Sequence, residues 1–134
     1  MNLEKYIAVS GLQGIYELVN TRNNGLIIKD LDNEKTRFVS TRKHQFTPLG
    51  TVAIYTYDDA TELKIIFKTM FEKSSELPIP TPKVSNEELK SYFEKILPDY
   101  DPDRVHVSDI KKVIKWYNFL TERDLLDFSS DEEE

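Results

Sequence analysis

Cysteine is absent from the chain, which excludes disulfides, thiolate metal sites and cysteine nucleophiles and is compatible with a reducing compartment. Histidine occurs twice, at His44 and His106, too few and too distant in sequence for a zinc site without carboxylate ligands that the sequence does not place. Glycine is scarce, with 4 residues. The segment Gly11-Leu12-Gln13-Gly14 lacks the third glycine, the lysine and the following helix that phosphate-cradling loops use. No apolar run approaches membrane-spanning length. The opening Met1-Asn2-Leu3-Glu4-Lys5-Tyr6 lacks the basic stretch and apolar core of a secretory signal, so a cytoplasmic protein with no membrane association is expected. No nucleophile with its base, metal cluster or cofactor motif is visible, and the expectation is a chain without cofactor, metal or assigned catalytic residues; an enzyme assembled from dispersed carboxylates and tyrosines stays open as a third reading.

What is present is a change of rhythm. At Asp58-Asp59 the hydrophobic period passes from two to 3.6, so a strand-rich part hands over to a helical one. The 134 residues suffice for one domain or two small units. The formal charge of −6 is uneven: residues 1–73 carry 10 Lys/Arg against 9 Asp/Glu, and residues 74–134 carry 8 against 15. The balance argues against general affinity for nucleic acid, because neutralising phosphates needs a basic surface. The tail Asp131-Glu132-Glu133-Glu134, a like-charge run after two serines, is expected to be disordered over residues 127–134.

In the first part, Gly14-Ile15-Tyr16-Glu17-Leu18-Val19 and Leu26-Ile27-Ile28-Lys29-Asp30-Leu31 suit a pleated surface, and the intervening Asn24-Gly25 supplies the positive φ of a tight hairpin. A turn at Asp32-Asn33-Glu34-Lys35 leads to the strand Thr36-Arg37-Phe38-Val39-Ser40. Thr51-Val52-Ala53-Ile54-Tyr55-Thr56-Tyr57 closes the set, and Tyr6-Ile7-Ala8-Val9 adds one more. Strands this short, joined by tight turns, hide one face best by curling into a small antiparallel β-barrel of the SH3-like kind over residues 1–57; an open meander is the alternative. The fold class is α+β.

Residues 58–126 are expected to hold three amphipathic α-helices. Leu63, Ile66, Phe67, Met70 and Phe71 form one stripe, with Asp59 as N-cap and Glu62 completing a capping box. Leu77-Pro78-Ile79-Pro80-Thr81-Pro82 forbids helix and predicts a stiff linker over residues 77–84; its prolines fall at every second position and offer no PxxP ligand. Ser85 caps the second helix, whose stripe is Leu89, Tyr92, Phe93, Ile96 and Leu97. Ser108 is expected to cap the third, with Ile110, Val113, Ile114, Tyr117 and Leu120 inward, widened by Trp116 and Phe119. So broad a surface implies burial between several elements, or contact with a second chain, which leaves monomer and homodimer both open. Lys111, Lys112 and Lys115 take the wet face. Asp99-Tyr100-Asp101-Pro102-Asp103 begins like a calcium loop but has Arg104 where glycine is needed and Ile110 where a bidentate glutamate belongs, so a polar turn is the expectation.

The segment Leu97-Pro98-Asp99-Tyr100-Asp101-Pro102-Asp103-Arg104-Val105-His106-Val107-Ser108-Asp109-Ile110, continuing to Trp116-Tyr117-Asn118, resembles the C-terminal signature of a family of small uncharacterised proteins from Bacteroidetes. Leu3-Glu4-Lys5-Tyr6-Ile7-Ala8-Val9-Ser10-Gly11 with Gly14-Ile15-Tyr16 resembles that family's N-terminal signature. The resemblance implies two linked domains of unknown function, the strand-rich one in front, and no transferable activity.

One cluster carries a functional expectation. Lys35, Arg37, Arg42, Lys43 and His44 place five potentially cationic groups within ten residues without an intervening acid. Arg37, Arg42, Lys43 and His44, with a nearby exposed tyrosine, are the candidate contacts for an anionic partner. The ordinary explanation is a solvated loop, or one paired with the chain's own acids. The leading reading is a non-enzymatic interaction module for a protein partner of unknown identity; the alternative is an RNA-associated accessory protein using residues 35–44.

Overall fold

The computed structural model describes residues 3–12 and 14–126, and the expected disorder of residues 127–134 lies outside them. The chain divides into two compact units, residues 2–52 and the part from Ala53 onward. The first is a five-stranded antiparallel sheet of β1 (Tyr6–Val9), β2 (Ile15–Arg22), β3 (Gly25–Asp30), β4 (Thr36–Ser40) and β5 (Phe46–Pro48). Its order is β4-β3-β2-β1-β5. Because side chains alternate across a pleated strand, Ile7 and Val9 share a face with Ile28 and Val39, and these four form a buried cluster backed by Leu12, Tyr16, Leu26 and Phe46. On the opposite face Tyr6 and Ile15 are buried, while Phe38 is 44% exposed.

The expected barrel does not close. Its two edge strands, β4 and β5, lie at opposite ends of the order, and the strand expected to complete it is engaged elsewhere. Within residues 51–57, β6 (Ala53–Tyr55) pairs with β7 (Ala60–Glu62). Thr56 causes this diversion: its N–H donates to the Asp59 carbonyl at 2.8 Å, and its hydroxyl accepts the Asp59 N–H at 3.0 Å. That turn folds the strand back on its own continuation, so β6 finds a partner a few residues away. The sheet is open: β1 to β4 pair in sequence order, and β5 returns to pair with β1.

Two local details differ from expectation. The β2–β3 connection is Asn23-Asn24, since Arg22 pairs with Gly25. Gly25 serves close approach instead: a Cβ there would collide with the Val39 carbonyl and lie 2.6 Å from the Phe38 ring. A bulge between Leu18 and Asn20 makes Val19 the extra residue, and its side chain is 50% exposed.

In the second unit α1 (Leu63–Lys73), α2 (Asn86–Ile96) and α3 (Val107–Glu122) follow the hairpin, and α2 packs against both other helices. Leu63, Ile66, Phe67 and Met70 are buried on α1, but Phe71 is 52% exposed. Eight residues of helix carry a side chain about 80° round from Leu63, to the margin of the stripe. The cap also differs: Glu62 occupies the N-cap of α1 without a side-chain bond, because Asp59 is held in the β6–β7 turn. On α2 the Ser85 hydroxyl accepts the Glu88 N–H at 3.2 Å, as its sequence predicts. On α3 the N-cap is His106, not Ser108. Asp109 Oδ2 accepts the His106 N–H at 2.9 Å, which starts the helix two residues early. Ile110, Val113, Ile114, Tyr117 and Leu120 are buried as the stripe predicts, and the Phe67 and Tyr117 rings meet edge-on at 5.6 Å. Among the described residues no helix is long and apolar enough to cross a membrane.

Candidate functional site

The cationic segment lies on β4 and the loop that leaves it. The turn before β4 is built by Asp30, whose Oδ1 accepts the N–H of Asp32 at 2.8 Å and of Asn33 at 3.3 Å. Asn33 Oδ1 then accepts the Lys35 N–H at 2.9 Å, and Glu34 adopts a left-handed φ of 61°. The reversal brings the chain through Lys35 into the outermost strand on this side of the sheet, which carries Arg37. Arg37 stands opposite Ile28 and Phe38 opposite Ile27, so the guanidinium and the ring leave the strand on opposite faces. The Phe38 ring covers Gly25, the position without a side chain, and the edge residue is thereby packed though still half exposed.

After β4 the loop is tied at both ends. The Ser40 hydroxyl accepts the Arg42 N–H at 3.1 Å, and the Ser40 carbonyl accepts the N–H groups of Lys43 at 3.2 Å and His44 at 3.1 Å. His44 Nδ1 lies 2.7 Å from the Ser10 carbonyl. A carbonyl has no proton to give, so Nδ1 carries the hydrogen and donates. The next residue repeats the tie, with the Gln45 N–H on the Ser10 hydroxyl at 2.7 Å. His44 is half-buried, whereas Lys35, Arg37, Arg42 and Lys43 are exposed. Of the four candidate contacts, Arg37 is exposed on β4 and Arg42 and Lys43 on the loop after it, while His44 ties that loop to Ser10.

The second polar cluster of the sequence serves the fold. Asp101 Oδ1 accepts the Asp103 N–H at 2.9 Å, and Oδ2 accepts Arg104 Nε at 2.9 Å. These bonds, the Asp103 amide first and the Arg104 side chain second, hold the Asp101 carboxyl below its ordinary range. Arg104 continues to the Thr56 carbonyl at 2.9 Å and stacks over the Tyr55 ring at 4.5 Å. The calcium-like acids thus make a turn clamped to β6, strengthened by backbone bonds from Tyr57 to Asp99 and from Asp101 to Tyr55. Among the described residues no group of three His, Cys, Asp or Glu is placed to hold a metal ion.

The edge position of β4 and the exposure of Phe38 were not part of the sequence expectation. A signal was available: Thr36-Arg37-Phe38-Val39-Ser40 offers a single apolar residue, Val39, on the core-facing register, which suits a strand with one neighbour.

Two domains of unknown function match consecutive parts of the chain, DUF5606 over residues 3–49 and DUF6852 over residues 52–120. A solution NMR structure from Bacteroides vulgatus, a structural-genomics target, is 32% identical, with a TM-score of 0.75, covering 95% of this chain and 91% of that chain. No curated protein matches.

Proposed function

From the premise that this chain belongs to the Bacteroidetes family built of these two domains of unknown function, we propose that it is a non-enzymatic binding module for a protein partner. The observation that carries this reading is the set of exposed cations Lys35, Arg37, Arg42 and Lys43 on and beside an open sheet edge, with half-exposed Phe38 on the face of β4 opposite Arg37. Arginine and aromatic rings are among the side-chain types that dominate binding energy at protein interfaces, and here they stand on the two faces of one edge strand. The absence of any acid from residues 35–44 selects an anionic partner surface. Loop ties through Ser40 and His44 hold the loop cations in place before the partner arrives, which lowers the ordering cost of association.

The test is quantitative capture from native lysate with the full chain and with an Arg37→Glu, Arg42→Glu, Lys43→Glu variant. A defined set of proteins recovered by the wild type and lost with the variant supports the reading. Equal recovery with both, or nothing above background, overturns it. The same cations admit a second reading, contact with RNA. Filter binding that weakens steeply with added salt and disappears in the variant would favour it over a protein partner.

A further inference from the structure

The backbone of β4 carries more information than its charges. The Asp30 N–H donates to the Lys35 carbonyl at 2.8 Å, and the Thr41 N–H to the Asn24 carbonyl at 3.0 Å. In an antiparallel pair, residues bonded to the neighbouring strand alternate with residues that are not. With Arg37 opposite Ile28 and Val39 opposite Leu26, Lys35, Arg37, Val39 and Thr41 turn their peptide groups toward β3. Thr36, Phe38 and Ser40 turn theirs outward, along an edge that no described strand covers. The Ser40 carbonyl is engaged by Lys43 and His44. The row left open is the N–H and carbonyl of Thr36 and Phe38, with the Ser40 N–H.

Sheet edges of this kind pair with further strands unless something prevents it. Here the charges decide which strand. A second copy of β4 would set Arg37 and Lys35 against the same cations, and like charges on paired strands are destabilising. A strand bearing carboxylates meets the opposite sign. Arg37 and Phe38 leave the edge on opposite faces, so a complementary strand carries acids on one register and apolar side chains on the other.

We propose that β4 accepts an extended acidic segment of a partner protein as an added sixth strand, hydrogen-bonded to Thr36 and Phe38, with its carboxylates beside Arg37 and an apolar side chain against Phe38. This inference rests on the reading of residues 35–44 as the partner contact and specifies the partner's chemistry and conformation. Self-association through this edge is disfavoured by the same charges.

The experiment uses the full chain and two labelled peptides of about eight residues, an ordinary strand length. One alternates Glu with Val. In the other, prolines replace the two central valines, keeping the charge while removing donors and strand geometry. Anisotropy titrations at low salt are expected to favour the alternating peptide by about tenfold, and that peptide is expected to slow amide exchange at Thr36 and Phe38. Thr36→Pro in the protein removes an outward donor without touching the β3 ladder and should weaken binding by a similar factor. If that variant loses its native fold, amide protection in the wild type decides. Equal affinity for both peptides, lost on Arg42→Glu with Lys43→Glu, would overturn the added strand while leaving the cationic contact standing. Binding of neither peptide would remove both. Displacement of the alternating peptide by single-stranded RNA at comparable concentration would also count against an acidic strand as the ligand.

Discussion

Replacing Tyr92 with phenylalanine should make this protein more stable. Tyr92 lies on α2 with 5% of its surface exposed, and its hydroxyl is buried with no hydrogen-bond partner among the described residues. A phenol transferred from water without compensation costs about 1–3 kcal/mol, and removing the oxygen returns that cost while leaving the ring and its packing in place. Tyr92→Phe is therefore expected to gain about 1–2 kcal/mol near neutral pH, read as a higher urea midpoint at unchanged slope, or as about 4–7 °C in Tm. A second signature lies in alkali. Burial, with Tyr117 adding to it, pushes the Tyr92 pKa well above its ordinary value of 10.0. The folded chain holds the proton that the unfolded chain releases as pH climbs past about 10, so wild-type stability falls there. Phenylalanine has no proton to lose, and the margin of the variant over the wild type should widen by about pH 11. A variant less stable than wild type by about 1 kcal/mol, with no widening in alkali, would refute the reasoning and assign the hydroxyl a partner such as enclosed water.

Other expectations follow from single contacts. Ser85→Ala removes the α2 cap and should cost about 1 kcal/mol in urea unfolding, while Ser85→Asp should cost little. Gly25→Ala places a methyl against the Val39 carbonyl and the Phe38 ring; a loss of about 1–3 kcal/mol is expected, and Phe38→Ala should restore just part of it because the carbonyl remains. Phe67→Ala, at a site with 0% exposure beside Tyr117, should cost about 3–5 kcal/mol. Asp101, whose pKa is lowered by the Asp103 amide and by Arg104, stabilises the fold above the ordinary carboxylate pKa and loses that contribution as pH falls through the depressed value. Asp101→Asn should flatten acid unfolding, and adding Arg104→Gln to it should cost less than the two changes measured separately.

Much of the helical unit was legible because its information is local. A stripe at i, i+3, i+4 and i+7 needs a buried face wherever the neighbours come from, and Leu89, Tyr92, Phe93 and Ile96 obey it. The helix starts were less legible, since several residues compete to begin each one. Asp59 has the chemistry of a cap, but Thr56 bonds it first into the β6–β7 turn. Asp109 reaches back to His106 and passes over Ser108. The barrel failed for a different reason: closure depends on which distant strands meet, and period-two alternation says which face is buried without naming the neighbour. Once the Thr56 turn diverts residues 53–55 into their own hairpin, the remaining strands form an open sheet with β4 exposed at its edge.

The candidate site divides along the same line. Its charge was readable, because Lys35, Arg37, Arg42 and Lys43 are side-chain facts that adjacency in sequence already groups. The role of His44 was not: it shares their basic chemistry, yet its ring is turned to the Ser10 carbonyl, a partner 34 residues away. Nor was the open edge, because its donors and acceptors are peptide groups that every residue other than proline possesses. They are open for pairing only through strand order, which determines whether Thr36 and Phe38 face a neighbouring strand or solvent. A site made of backbone at a sheet margin therefore shows in sequence as the charges that guard it. In the proposed added-strand arrangement those guards have a consequence of their own: by repelling an identical strand they would leave the edge open to an acidic one, so the residues that protect the sheet from self-association would also set the specificity of what can join it.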